Sequence, residues 1–177
     1  MYRTILSILG AVSLLSAFAA PADSRARPEA KPKLNGEIVE FDGEYTIGTI
    51  IIRTSEKRLY YVVGEGRAVR YPVAVGEPRF QWKGESWVSS KQHNPTWRPT
   101  ARMRREKPEL PVFVGPGPEN PLGPRAIYLG WGEYRIHGTN APRSIGAAVS
   151  SGCFRMHNAD AIDLFDRVHI GAPVIVQ

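Results

Sequence analysis

The sequence predicts a mainly-β single domain with a few short helices, and three observations carry that prediction. Short runs of β-branched and aromatic residues recur from Glu37 onward. Pro and Gly clusters such as Gly115-Pro116-Gly117-Pro118 separate them. Helical spacing of apolar residues is confined to two short stretches, and there is no internal repeat.

Taken in order, Ile47 to Arg53 and Leu59 to Gly64 read as strands, with Thr54-Ser55-Glu56-Lys57-Arg58 between them as a hairpin connection. Arg67 to Val75 alternates Ala68, Arg70 and Pro72 against Val69, Tyr71 and Val73, then stops at Gly76. Pro72 has no amide hydrogen to give a ladder, so this strand is expected at an edge or bent there. Trp87 to Ser89, Val112 to Val114, Ala126 to Leu129, Tyr134 to His137 and Val174 to Val176 supply further short strands. Thr100 to Glu106, after Pro99, is a short helix too basic on its face for a core position. Asn158 is read as the N-cap of a second helix, with Asp160 and Asp163 in its early turns. Ile162, Phe165 and Val168 form its apolar stripe, and Gly171 follows its end.

The first residues form a different kind of segment. Arg3, the apolar run from Ile5 to Phe18 and Ala17-Phe18-Ala19 read as a secretory signal, residues 1–19, cleaved after Ala19. Residues 20–45 read as a flexible leader and lead-in, rich in Pro, Ala and charge, and 46–177 as the domain. With no second long apolar run, no stable membrane insertion is expected after cleavage. The formal charge of +6 is uneven: Arg53 to Lys107 holds thirteen Lys and Arg against five Glu. That segment favours anionic partners, and in an exported protein carboxylate-bearing wall peptides fit better than nucleic acid, which is not expected as a partner. The single cysteine cannot form an internal disulfide, so in an oxidising compartment it is either buried or chemically employed.

Chemistry concentrates in Tyr134-Arg135-Ile136-His137-Gly138-Thr139 and in Ser150-Ser151-Gly152-Cys153-Phe154-Arg155-Met156, with Cys153 sixteen residues after His137. A thiol attacks carbonyls as thiolate, and an imidazole can take its proton and return it to a leaving amine. Gly152 leaves room at the sulfur, and the turn before Cys153 can aim amide groups at an oxyanion. The spacings of His93, His137, Cys153 and His157 match no compact ligand pattern, so no metal is expected, and thiol–imidazole chemistry needs no cofactor. Trp82, Trp87, Trp97 and Trp131 are read as packing residues rather than a sugar groove. Residues 81–103 are the candidate for a segment covering the cleft.

His137-Gly138-Thr139 followed by Ser150-Ser151-Gly152-Cys153-Phe154-Arg155-Met156 resembles the signature of the YkuD-type L,D-transpeptidases, and Asn120-Pro121-Leu122-Gly123 resembles a turn of that family. Many members carry His before the Gly-Cys pair, where Ser151 stands here, so no role of a second His is carried over. The resemblance implies a YkuD-like β-sandwich-type domain. It implies that Cys153 attacks the third residue of a donor tetrapeptide stem, expels D-Ala and leaves a thioester. His137 would be general base and acid, also activating the acceptor amine, usually from diaminopimelate of a neighbouring stem, to give a 3→3 cross-link. Arg155 would contact or shape the site around an acidic stem. Gly152 and Ser151, with Cys153, would belong to the oxyanion turn, and Gly138 and Thr139 would orient His137. The resemblance also implies a periplasmic location, peptidoglycan stem peptides as partners, an outer-membrane protein as an alternative acceptor, and acylation by carbapenems. Two other readings stay open at this point: an L,D-carboxypeptidase or endopeptidase using water, and a non-catalytic peptidoglycan-binding module.

Overall fold

A computed structural model describes residues 35–177 apart from Gly132. The expected signal and the first part of the leader lie outside the described residues. The strands are β1 (Glu37–Glu40), β2 (Ile50–Arg53), β3 (Arg58–Gly64), β4 (Arg67–Pro72), β5 (Val75–Gly76), β6 (Gly84–His93), β7 (Arg125–Leu129), β8 (Arg135–His137), β9 (Ala148–Ser150), β10 (Phe154–Arg155) and β11 (Pro173–Val176). The helices are α1 (Ala101–Glu106) and α2 (Asn158–Arg167). Nine strands join in the order β1-β4-β3-β2-β11-β6-β7-β8-β10, while β5 pairs with β9.

The long strand β6 belongs to both halves of this sheet. Gly84 to Trp87 pair with β11, whereas Val88 to His93 pair with β7 across a register shift between Val88 and Ser90. A bulge at that point bends the strand. The two halves thereby face one core, in which Ile50, Leu59 and Tyr71 meet Ile127, Ile136 and Phe154, with Leu164 and Phe165 of α2. The opposite face of the first half is also covered: Ile51, Tyr60, Val62 and Ala68 pack under Phe41. Strands buried on both faces lose the apolar-polar alternation, which is why β2 and β3 read as continuous apolar runs.

Several expectations need correction. Ordered structure begins before residue 46, because β1 pairs antiparallel with β4 and Phe41 stacks against Tyr60 at 4.6 Å. The pattern Glu37-Ile38-Val39-Glu40 is too short and charged to announce a strand. Val112 to Val114 yields only an isolated bridge between Val114 and Trp97, and Val112 and Phe113 are exposed. Pro72 ends β4 opposite Arg58, where β1 no longer runs beside it, so only the end of the strand is an edge. Ten residues of the 81–103 segment form β6, inside the sheet. In α2 the buried stripe is Ala161, Leu164, Phe165 and Val168, with Ile162 at its margin. His157 holds the N-cap position of α2 without a side-chain bond, and Asn158 begins the helix. Lys91 and His93 of β6 close the other end of α2: Lys91 Nζ donates to the Val168 carbonyl at 2.7 Å, and His93 meets the Phe165 ring edge-on.

Candidate active site

Strands β8 and β10 run parallel, with Phe154 opposite Ile136 and Arg155 opposite His137. Alternation along each strand places Ile136 and Phe154 in the core and Arg135, His137, Cys153 and Arg155 on the other face. Strand β10 is clamped on its free side by paired backbone bonds between Arg155 and Ala74, at 2.9 and 3.0 Å. The nucleophile candidate thus enters a strand fixed from both edges, one diagonal step from His137.

His137 is buried, and its Nδ1 lies 2.6 Å from the Gly138 carbonyl oxygen. A carbonyl only accepts, so Nδ1 carries the proton and Nε2 keeps its lone pair as a base. Burial pushes the His137 pKa down to about 3, opposed by the Gly138 bond and reinforced by the Arg155 and Arg135 charges. Burial also pushes the Cys153 thiol up, with Arg135 and then Arg155 pulling against it. The resting pair is therefore neutral imidazole and neutral thiol. The thiol donates to the Glu133 carbonyl at 3.6 Å.

The turn before Cys153 is held by Ser150, whose hydroxyl donates to the Cys153 carbonyl at 2.5 Å and accepts from the Gly152 amide at 3.1 Å. That occupies the Gly152 amide, so Gly152 serves the turn by conformation. Its φ of +108° lies in the glycine region, and an added Cβ would meet the Tyr134 ring at 2.6 Å. Its carbonyl accepts from Trp82 Nε1 at 3.1 Å, and Trp82 stacks on Tyr134 and meets Trp131 edge-on. Ser151 is half-buried and lines the cavities beside Cys153.

The loop after His137 is braced from α2. Asn158 Oδ1 accepts the Thr139 amide at 2.7 Å, and Thr139 Oγ1 accepts the Ala141 amide at 3.0 Å. A Cβ on Gly138 would collide with that Asn158 oxygen. The 120–123 turn packs on the same loop. Asn120 is fully buried, donating to the Pro95 and Gly115 carbonyls at 2.6 and 2.9 Å and accepting from the Leu122 amide at 2.8 Å. It ties the loop beside His137 to the base of the segment that carries α1.

A cavity of about 490 Å³ is walled by Thr100 to Met103 on one side and by Tyr134, Arg135 and Cys153 on the other. A second, of about 300 Å³, lies between Trp97, Met103 and Leu110 and the Phe80, Ser151 and Arg155 wall. A narrow space of about 80 Å³ lined by His137, Cys153 and Arg155 shares Met103 and Ser151 with both. Of these two larger cavities the first is walled by Cys153, and the second reaches Arg155. A further cavity of about 470 Å³, near Tyr45 and Glu65, shares no residue with these. Sequence reasoning anticipated His137, Cys153 and Arg155 at one place. It did not assign Arg135, Ser150 or Asn158 a role there. For Ser150 and Asn158 the signal was present in the motif stretch but read as turn and cap chemistry. Among the described residues no three His, Cys, Asp or Glu gather as a metal site, and no helix is long and apolar enough to cross a membrane.

Known proteins are similar to this chain in sequence and in fold. The YkuD family, described as L,D-transpeptidase catalytic domain, matches residues 47–176. The chain is 42% identical over 133 residues to the "Probable L,D-transpeptidase ErfK/SrfK" of Escherichia coli, covering 71% of this chain and 42% of that protein. It is 34% identical over 129 residues to a "Putative L,D-transpeptidase" of Fuscovulum blasticum, covering 72% of this chain and 68% of that one. It thus spans less than half the length of the Escherichia coli relative. In fold it resembles an L,D-transpeptidase from Mycobacterium smegmatis, at 23% identity and a TM-score of 0.59 over 73% of this chain and 58% of that one. It also resembles the catalytic domain of the Enterococcus faecium L,D-transpeptidase acylated by ertapenem, at 19% identity and a TM-score of 0.58 over 76% of this chain and all of that one. With the family matched over most of its length and the His-Gly-Thr and Ser-Ser-Gly-Cys stretches on one face of β8 and β10, this chain belongs to the YkuD family of L,D-transpeptidase catalytic domains.

Proposed function

We propose that the protein is an exported, periplasmic peptidoglycan L,D-transpeptidase working through a Cys153 thioester. The observation that carries this reading is the imidazole of His137, fixed through Nδ1 with Nε2 free, on the same strand face and in the same narrow space as the Cys153 thiol. Nε2 takes the thiol proton as sulfur attacks the carbonyl of the third stem residue. The carbon–nitrogen bond breaks, the imidazolium returns the proton to the departing D-Ala amine, and a thioester remains. An acceptor amine, giving up its proton to Nε2, attacks the thioester and restores the thiol. With the Gly152 amide engaged by Ser150, the amide of Cys153 itself is the proposed oxyanion donor. Arg155 sits opposite His137 in the register, where it meets the acidic stem.

A cavity walled by Cys153 and a second walled by Arg155, which share Met103 and Ser151, offer room for two peptide substrates, donor in one and acceptor in the other. That favours transfer to an amine over hydrolysis, with 3→3 cross-linking of stems as the reaction and wall-protein attachment as its variant. Mass spectrometry of the protein incubated with purified disaccharide-tetrapeptide tests the reading. Expected are loss of D-Ala, 3→3 dimers and a transient acyl adduct on Cys153, all absent in Cys153→Ala. Ertapenem should add to the same residue. Tripeptide without dimers would replace the amine acceptor by water, and turnover by Cys153→Ala would overturn the nucleophile.

A further inference from the structure

We propose that Arg135 is the residue that holds the Cys153 sulfur once its proton has left, through the guanidinium that reaches the nucleophile from β8. The inference deepens the function proposed above and rests on it. Arg155 lies opposite His137, so two residues back on both parallel strands Arg135 stands level with Cys153 on the same face. Arg135 Nη1 donates to the Glu133 carbonyl at 3.0 Å, the same oxygen to which the Cys153 thiol donates at 3.6 Å. Two donors converging on one acceptor put the guanidinium beside the sulfur. The Arg135 Nε is buried and finds no acceptor among the described residues. From behind, the guanidinium lies over the Tyr128 ring at 5.2 Å, and Tyr128 is its partner across β7 and β8.

Ionisation changes what the sulfur needs. As a thiol it donates to the Glu133 carbonyl; as a thiolate it has nothing to donate and is repelled by that oxygen. Arginine is donor-only and permanently charged, so the group already shared with the carbonyl becomes the partner of the thiolate. The groups facing the sulfur are Arg135 and His137 from β8, Arg155 from β10, the Glu133 carbonyl from the turn before β8, and Arg98 and Arg102 from the segment around α1. Of the charged groups, Arg135 is the strongest in favour of the thiolate, with Arg155 behind it. Nothing in the sequence motif marks Arg135 for this work, because its role comes from strand register.

Alkylation of Cys153 by iodoacetamide, followed by intact mass against pH, tests the proposal without any peptide substrate. In Arg135→Gln the midpoint should rise by about one pH unit, and the rate at pH 8 should fall about three- to ten-fold, the smaller figure allowing for the higher nucleophilicity of a more basic thiolate. Arg135→Lys, which keeps the charge, should restore most of the difference, and Arg155→Gln should shift the midpoint less. Should Arg135→Gln not fold, Arg135→Met keeps the apolar stem over Tyr128 and gives the same reading. A profile superposing on wild type, a lysine variant as slow as the neutral one, or an equal shift in Arg155→Gln would overturn the proposal. Normal alkylation with no stem acylation would count against the proposed function alone.

Discussion

Burial keeps the His137 ring neutral, with Nε2 open to a proton, and has a second consequence for stability. The folded protein holds the imidazole neutral down to about pH 3, whereas the unfolded chain protonates it near 6.5. Between those values the unfolded state binds the extra proton, so stability falls as pH drops through 6.5 and is unaffected by this group above it. The slope is about 1.4 kcal/mol per pH unit inside that window. His137→Asn keeps a small polar side chain without the titration, and its denaturant midpoint should be flatter between pH 6.5 and 4.5. Equal slopes for variant and wild type would mean that His137 is not held neutral in the folded state. The motif made both His137 and Cys153 visible in the sequence, since His-Gly-Thr and Ser-Ser-Gly-Cys are local patterns. Arg135 was not visible, because its proximity to sulfur depends on which strand pairs with which.

At the scale of elements, the site is built where α2 meets the loop after β8. Asn158 looked like an N-cap from its place before Asp160 and Asp163, and the same chemistry, a side-chain oxygen receiving an amide, is used elsewhere. It reaches across to Thr139 rather than forward to its own helix. A sequence shows that Asn suits such a bond but not which amide will be nearest. Asn158→Ala should leave the Thr139 amide without its acceptor, costing about 1 kcal/mol by chemical denaturation. Because that loop carries the Gly138 carbonyl that orients the imidazole, Cys153 acylation should fall about ten-fold or more. Asn158→Asp keeps the accepting oxygen and should retain both stability and rate; if it behaves like alanine, the brace is not the reason Asn stands there. The same limit explains β6. Its run of Ser, Glu, Lys and Gln around Trp87 and Val88 hid a ten-residue strand, since seven of its ten residues are exposed.

Across the whole molecule, alternation keeps folding and chemistry on opposite sides of the same short strands. Ile136 and Phe154 point into the core with Leu164, while Arg135, His137, Cys153 and Arg155 face the cavities. The strand runs that make up most of this core could be read from composition. The sheet order could not, because β11, from the end of the domain, inserts between β2 and β6, and nothing local specifies that pairing. The two-sided design predicts that core damage and site damage separate. Leu164 is fully buried on α2, which packs on β7 and β8 behind the site. Leu164→Ala should lower stability by about 2–5 kcal/mol through lost burial and the cavity left behind. Below its lowered unfolding midpoint, the variant should alkylate Cys153 with the wild-type pH profile, because backbone pairing of β8 and β10 and the Arg155–Ala74 clamp fix the site face independently of one core side chain. A shifted profile in a folded Leu164→Ala protein would mean that the core sets the position of β8 directly, and that the site face depends on packing as well as register.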